Sequence, residues 1–511
     1  MAPNLKDLDF LGDSPLPLRQ CLLVAGLLLV PVYFVWRAVH NLYFHPLSHI
    51  PGPKLWAISP IPFALSEASG FGHKKMVKLH IKYGNIVRVS PNSVNVSDPS
   101  AWKDIYGHRK AGTLENSKQA EFFSDMPDSI IGSVETEEHA RQRRILSRGF
   151  SAQAMANQES LIRRYVDLLF ENLHSFADRQ EAIDVVDWYN YTTFDVIGDL
   201  AFGSPFGCLE SANYHSWVAL VFGAVKQKHY MRQIQRVLPW FNALLAPLFQ
   251  RMFAKDIVQN RELTETKVHQ RLALGTERPD FMQSMIGSDG QRKMTMKQLY
   301  DNADILILAG SETTATALSA ITSLLCTHPH VLEKMRAEVD SSFETEEDIT
   351  LLSVQKLKYM MVVIDETLRI YPPASAGVPR TINPHGQMVA GTYLPPNVLA
   401  YVQHWVTYHD PANFALPESF IPERWEGTDP RCVNDKKGAF EPFSYGSRNC
   451  IGKNLAYAEM RLILSRLIWN FDFKLFDPKD KDWIYDQYMY GLWEKPPLKV
   501  YLSHRNKTKN N

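Results

Sequence analysis

Cys450 stands in the run Phe443-Ser-Tyr-Gly446-Ser-Arg448-Asn-Cys450-Ile-Gly452, and an apolar helical pattern over residues 451–469 follows at once. A thiol at a helix start faces free backbone N–H groups and the positive end of the helix dipole, which favour the thiolate that ligates metals. Gly446 and Gly452 let the chain turn tightly and approach a flat ring. Arg448, two residues before the cysteine, can reach an anionic group on such a ring. A lone cysteine ahead of a helix is more often a buried free thiol. Five residues at fixed positions favour an iron ligand instead.

Two further segments carry chemistry. Glu366 and Arg369 are three apart on a helical pattern and face the same way. On an exposed face such a pair contributes only a few tenths of a kcal/mol. Residues 297–328 read as a long helix, apolar nearly all round and therefore buried. Gly310 in its middle costs about 1 kcal/mol relative to alanine, and Glu312, Thr313 and Thr314 put polar groups beside it. One explanation is a core helix bent by Ser/Thr bonds to its own carbonyls. The other explains more: the glycine marks a functional opening in the helix, with Thr313 and Glu312 as the polar groups that would donate hydrogen bonds and protons there.

These residues must be positioned by a chain of 511 residues, 45% hydrophobic, with 55 basic and 55 acidic side chains. That is an ordinary globular composition with a large core, and its neutral balance gives no electrostatic reason to expect nucleic acid. The five cysteines, at 21, 208, 326, 432 and 450, show no CxxC or zinc spacing. They point to a reducing compartment with one special thiol, where the sequons at Asn95, Asn190 and Asn506 go unused. Residues 21–36 carry no charge. With extension to Leu16 they read as a membrane anchor over about 16–36. Arg37, Lys54, Lys74 and Lys75 follow it, which places the body in the cytosol; a cleaved signal peptide is the weaker alternative.

A proline-rich hinge comes next, with Pro46, Pro51, Pro53, Pro60 and Pro62, and is expected to exclude helix. A helix over Gly72–Tyr83, a hairpin of IVRVS and VNVS, a mostly helical stretch from 136 to 385, and short strands near 387–402, 470–476 and 498–502 complete the pattern. The expected organisation is an N-terminal region with anchor over 1–40, the hinge over 41–62, and one mainly α body with small β-sheets over 63–511.

Phe443, Gly446, Arg448, Cys450 and Gly452 together resemble the haem-binding signature of cytochromes P450. Glu366-Thr-Leu-Arg369 resembles that family's E-x-x-R helix. Pro422-Glu423-Arg424-Trp425 resembles its PER segment, and residues 309–314 (AGSETT) its oxygen-activation motif. The resemblance runs from the anchor almost to the C-terminus and is strongest to fungal enzymes of secondary metabolism. It implies the P450 fold, haem b with Cys450 as the iron's axial ligand, and catalytic roles for Thr313 and Glu312. It implies a buried structural triad of Glu366, Arg369 and Arg424. For the propionates it implies Arg448, with Arg143 and His139 from the helix that usually carries Trp, here replaced by His139, and Arg380.

Substrate-pocket positions implied the same way are Phe122, Phe123, Ile131, Ile305, Ala309, Val378 and Leu492, all apolar as pockets for lipophilic ligands are. Residues 237–253 are apolar enough to dip into a membrane. The implied activity is a monooxygenase on an endoplasmic reticulum membrane, single-pass and facing the cytosol. It oxidises a lipophilic polyketide or terpenoid with O2. Its electrons come from NADPH-cytochrome P450 reductase, with cytochrome b5 as a further partner, docking at a basic face of Arg141, Arg144, Arg148 and Lys453. The rival readings are a P450-fold enzyme that rearranges or dehydrates without monooxygenation, and a haem-binding sensor. The intact Glu312-Thr313 pair argues against the first.

Overall fold

The computed structural model describes residues 16–109, 114–123, 126–239, 251, 254–275, 278–286 and 293–506. Its axis is the Met296–Thr327 helix. The Thr295 hydroxyl accepts the Gln298 N–H and Gln298 Oε1 accepts the Thr295 N–H, so both ends of this capping box are made. Among the described residues this helix alone is long and apolar enough to cross a membrane, but most of it is buried within the protein. It is a core helix, and the helices Val185–Phe202, Ala254–Ala273, Lys358–Ile370 and Lys453–Asn470 pack directly on it.

The helix runs unbroken through Gly310, which corrects the expectation of an opening there. A Cβ at position 310 would lie 2.7 Å from Ile197 Cδ1. The glycine therefore serves the close approach of the Val185–Phe202 helix. Ser311 and Thr313 donate to the carbonyls of Ile307 and Ala309 at 2.6 and 2.8 Å, a back-bonding pattern compatible with an intact helix.

The sheets sit at the edges. A five-stranded sheet has the order Ile86–Ser90, Ser93–Val96, Leu399–Tyr401, Arg380–Thr381, Ser117–Lys118. Its first two strands form the expected hairpin, and Ser93–Val96 pairs parallel with Leu399–Tyr401. A three-stranded sheet joins Ala182–Asp184, Lys499–His504 and Phe471–Leu475. The architecture is mainly helical with small sheets, as the cytochrome P450 fold requires.

The proline-rich segment differs from expectation. Short helices form at Lys54–Ile58 and Ile61–Ala68. Pro53 caps the first and Pro62 lies in the first turn of the second, where no intrahelical N–H is needed. Leu47, Ile50, Trp56 and Phe63 are buried, so this stretch is packed rather than a free spacer. Ahead of it, the Leu16–Val39 helix leaves Leu28, Leu29, Phe34, Val35 and Trp36 at least 60% exposed. Cys208, Cys326, Cys432 and Cys450 are free thiols. Asn95 and Asn190 are 0% and 2% exposed, so neither sequon is accessible in the folded chain.

Candidate functional site

The loop that carries Cys450 is closed by its own backbone: the Cys450 N–H donates to Phe443 O at 2.8 Å. Phe443 packs on Tyr457 with ring centroids 5.0 Å apart, which fixes the loop to the Lys453–Asn470 helix. Gly446 holds φ +80°, and a Cβ there would lie 1.9 Å from Tyr106 O. Gly446→Ala is therefore expected to destabilise by about 3 kcal/mol or more, from left-handed strain plus a backbone clash. Thermal melting checks this; melting with the wild type would show that the loop relaxes.

Cys450 itself is open to solvent at the site. Desolvation by its surroundings raises the pKa of the thiol, while the helix-end N–H groups of Gly452 and Lys453 and the charges of Arg143 and Lys453 work the other way. A coordinated metal must hold the sulfur as thiolate.

Around the loop lies a basin of cations. Arg448 donates to the carbonyls of Ser133 and Val134 at 2.9 and 3.0 Å and pairs with Glu115 at 3.2 Å. Arg143 donates to Asn449 O at 2.6 Å and to the Asn449 side chain. Arg380 is 4% exposed, and its Nε and Nη1 are buried without a hydrogen-bond partner. Burial, with Arg448 adding repulsion, pushes Arg380 down to about 10. Lys118 donates to the carbonyls of Ile130 and Ile131. Burial, then Arg448 and Arg380, push it down to about 6. His139 is pushed to about 3 by burial and then by Arg448 and Lys118. It is therefore a neutral imidazole, still with one N–H to donate.

Glu115 faces these groups. Burial works to raise it, but the Ser447 hydroxyl and Arg448 outweigh that and hold it below the usual carboxylate range. Unpartnered guanidinium atoms and mutually depressed cations call for anions. Haem b, with two propionates, fits this donor set, with Cys450 beside it. Lys118 and Glu115 were not legible in the sequence, because nothing local distinguishes a lone lysine or glutamate.

Glu366, Arg369 and Arg424 meet, each side chain 0% exposed. Arg369 donates both Nε and Nη2 to Glu366 at 2.9 Å, and Arg424 Nε reaches Glu366 Oε1 at 3.0 Å. Trp425 Nε1 and the Ile421 N–H complete the carboxylate. Asp435, absent from the sequence reading, pairs with Arg424. The arginines also hold backbone: Arg369 bonds the carbonyls of Tyr408, Pro417 and Ser419. Tyr408 in turn accepts the Glu441 N–H on its hydroxyl at 3.0 Å, two residues before Phe443.

On the Met296–Thr327 helix, Ala309 is exposed and Gly310 and Thr313 are half-buried, so the continuous core helix has one accessible face there. Thr314 bonds Glu459, which burial pushes up to about 8. This joins the helix to the one that begins after Cys450. Glu312 lies on a different face, paired with Lys495.

The pocket positions divide. Leu492 lines a cavity of about 340 Å³ together with Glu312. Ile305 is buried, while Ile131 and Val378 are half-buried, and Val378 O accepts the Tyr106 hydroxyl at 2.8 Å. Phe122 lies under the Arg232 guanidinium, 4.1 Å from its ring centroid. The Phe123 side chain and nearly all of residues 237–253 lie outside the described residues. Of the basic face, Arg144, Arg148 and Lys453 are exposed; Arg141 is held by Glu138 at 2.7 Å.

Comparison with known proteins matches residues 50–502 to the family model described as Cytochrome P450. The chain is 45% identical to a trichothecene C-15 hydroxylase of Fusarium sporotrichioides, over 93% of this chain and 96% of that protein. It is 40% identical to the cytochrome P450 monooxygenase astJ of Aspergillus oryzae, over 92% and 95%. It is 39% identical to an averantin hydroxylase of Dothistroma septosporum, over 95% and 92%.

Proposed function

The chain belongs to the cytochrome P450 family, and on that premise we propose that it inserts one atom of O2 into a lipophilic polyketide or terpenoid of fungal secondary metabolism. The observation that carries this reading is Cys450 at a helix start beside Arg143, Arg380, Arg448, Lys118 and His139. Bound haem supplies the thiolate-ligated iron at which dioxygen is activated.

The remaining work belongs to the chain. Cys450 would hold the haem iron through its thiolate, and Gly446 and Gly452 bring its loop close. Arg380 offers its unpartnered Nε and Nη1 to a propionate. Arg448 and Arg143, now on Glu115 and Asn449, exchange or share those partners with the second, and His139 adds one neutral donor. Thr313 releases its bond to Ala309 O to donate at the accessible face, and Glu312 holds the proton that follows. Ala309, Ile305, Val378 and Leu492 form the apolar side of the substrate space.

The electrons come from an NADPH-dependent reductase, with cytochrome b5 as a second donor. Arg144, Arg148 and Lys453 are the exposed cations that suit such partners. The exposed apolar side chains of the Leu16–Val39 helix, followed by Arg37, suit a single-pass anchor in the endoplasmic reticulum with the body in the cytosol.

Full-length protein in microsomes with reductase, NADPH and 18O2 is expected to yield a product carrying a single 18O from a panel of polyketides and terpenoids. NADPH consumption with no oxygenated product, or a product without 18O, would overturn the reading.

A further inference from the structure

Lys495 has no role in the monooxygenase reading, yet it reaches one of that reading's central groups. Its Nζ donates to Glu312 Oε1 and, at 2.7 Å, to Thr316 Oγ1; the two charged side chains are 5% and 3% exposed. Thr316 completes a triangle by donating to Glu312 Oε1 at 3.3 Å. The other carboxylate oxygen, Glu312 Oε2, is buried with no partner.

A comparison within the same protein shows what this means. Glu366, the structural carboxylate, has both oxygens bonded. An unpaired buried carboxylate oxygen costs desolvation energy. Among the described residues Glu312 shares this feature with Glu67 and Glu459 but is the one of the three held by a lysine. Glu312 leaves one oxygen free.

Both Glu312 and Lys495 line the cavity of about 340 Å³, with Asn190, Tyr214, Tyr490 and Lys226. At about 30 Å³ per water this admits roughly ten waters. Within a wall that also carries Val186, Val225, Leu492 and Trp493, a string of polar groups runs along one side. Asn190 donates to Tyr214, and Tyr214 to Asp187, at 3.1 and 2.9 Å. At the rim the pair Lys226–Glu494 has side chains 44% and 48% exposed. The Lys495 backbone is pinned on both sides: Trp493 Nε1 donates to Pro372 O and Trp483 Nε1 to Pro496 O, at 2.9 and 3.0 Å.

We propose that this cavity is the proton inlet of the enzyme and that Lys495 is its positioning residue. Lys495 anchors Glu312 by one oxygen, so that the other, unpartnered oxygen relays protons from cavity water toward Thr313. The inference rests on the monooxygenase reading. That reaction, RH + O2 + 2 e− + 2 H+ giving ROH + H2O, takes both protons by this route. At Glu312 only O–H bonds form and break, and Lys495 keeps its N–H bonds throughout.

The test uses full-length holoenzyme with reductase, NADPH and O2 and needs no substrate. Reduction of O2 to water consumes two NADPH, and reduction to peroxide consumes one. Lys495→Met is expected to slow the water-forming reduction about tenfold or more while peroxide formation persists. The solvent deuterium isotope effect should change, and Lys495→Arg should restore most of the difference. The infrared difference spectrum of Lys495→Met against wild type should show a protonated carboxyl that is missing when Glu312→Gln is added. Asn190→Leu, which narrows the cavity without touching the ion pair, should shift the same ratio if Lys495→Met fails to fold. A wild-type NADPH-to-O2 ratio and infrared spectrum in Lys495→Met, or a wild-type ratio in Asn190→Leu, would overturn the inlet. Loss of the thiolate-type carbon monoxide band in the wild type itself would instead overturn the monooxygenase reading.

Discussion

Cys450→Ser is expected to abolish the thiolate-type Soret band of the reduced carbon monoxide complex and to bring turnover below detection. The substitution is nearly isosteric and leaves the Cys450 N–H bond to Phe443 O in place, so the loop keeps its shape. What changes is the ligand. A serine hydroxyl does not ionise near neutral pH, and the soft, electron-donating sulfur that favours O–O cleavage is gone. The basin of Arg143, Arg380, Arg448, Lys118 and His139 still offers its donors to the propionates, so haem is expected to be retained in part. The measurement is the reduced carbon monoxide spectrum at matched haem content, with melting as the control for folding. A band unchanged from wild type would show that another residue is the axial ligand.

Arg369→Ala is expected to cost about 3–5 kcal/mol, the usual penalty for removing one partner of a buried charge pair. Against a total stability of about 5–15 kcal/mol that leaves little folded protein. The loss is specific. Glu366 would keep Arg424, Trp425 and the Ile421 N–H but lose two charged donors. The carbonyls of Tyr408, Pro417 and Ser419 would lose theirs as well. The four buried charges, Glu366, Asp435, Arg369 and Arg424, sum to zero, so any single removal leaves a net charge. A double variant, Glu366→Met with Arg369→Met, leaves Arg424 with Asp435 and stays balanced. It is expected to be less destabilised than Arg369→Ala alone. Thermal melting and the haem content of purified protein check both. An Arg369→Ala protein that melts with the wild type would show that the cluster contributes no stability.

The local signals were legible because they are local. Cys450 and its glycines, the E-x-x-R spacing, the long apolar 297–328 pattern and the IVRVS/VNVS hairpin each report backbone shape and a face within a few turns of chain. Two local readings went astray where packing decided. The prolines of the hinge sit at helix starts, which a count of prolines does not reveal. Gly310 looked like an opening, but it marks contact with Ile197 of another helix, and the helix runs through it.

The sequence by itself determined the family and pointed to Cys450 and to the long apolar helix, because those lie in contiguous motifs. Only the tertiary structure decided the partners. Asp435 pairs with Arg424, and Lys495 meets Glu312 across 183 residues. Lys118 meets Arg380 through a strand pairing, and Glu115 joins Arg448 through a loop contact. No spacing rule predicts such meetings, because they depend on how loops close and on which buried charge must be neutralised. The same desolvation that raises Cys450 and depresses Lys118 exists only once the whole chain has packed around them.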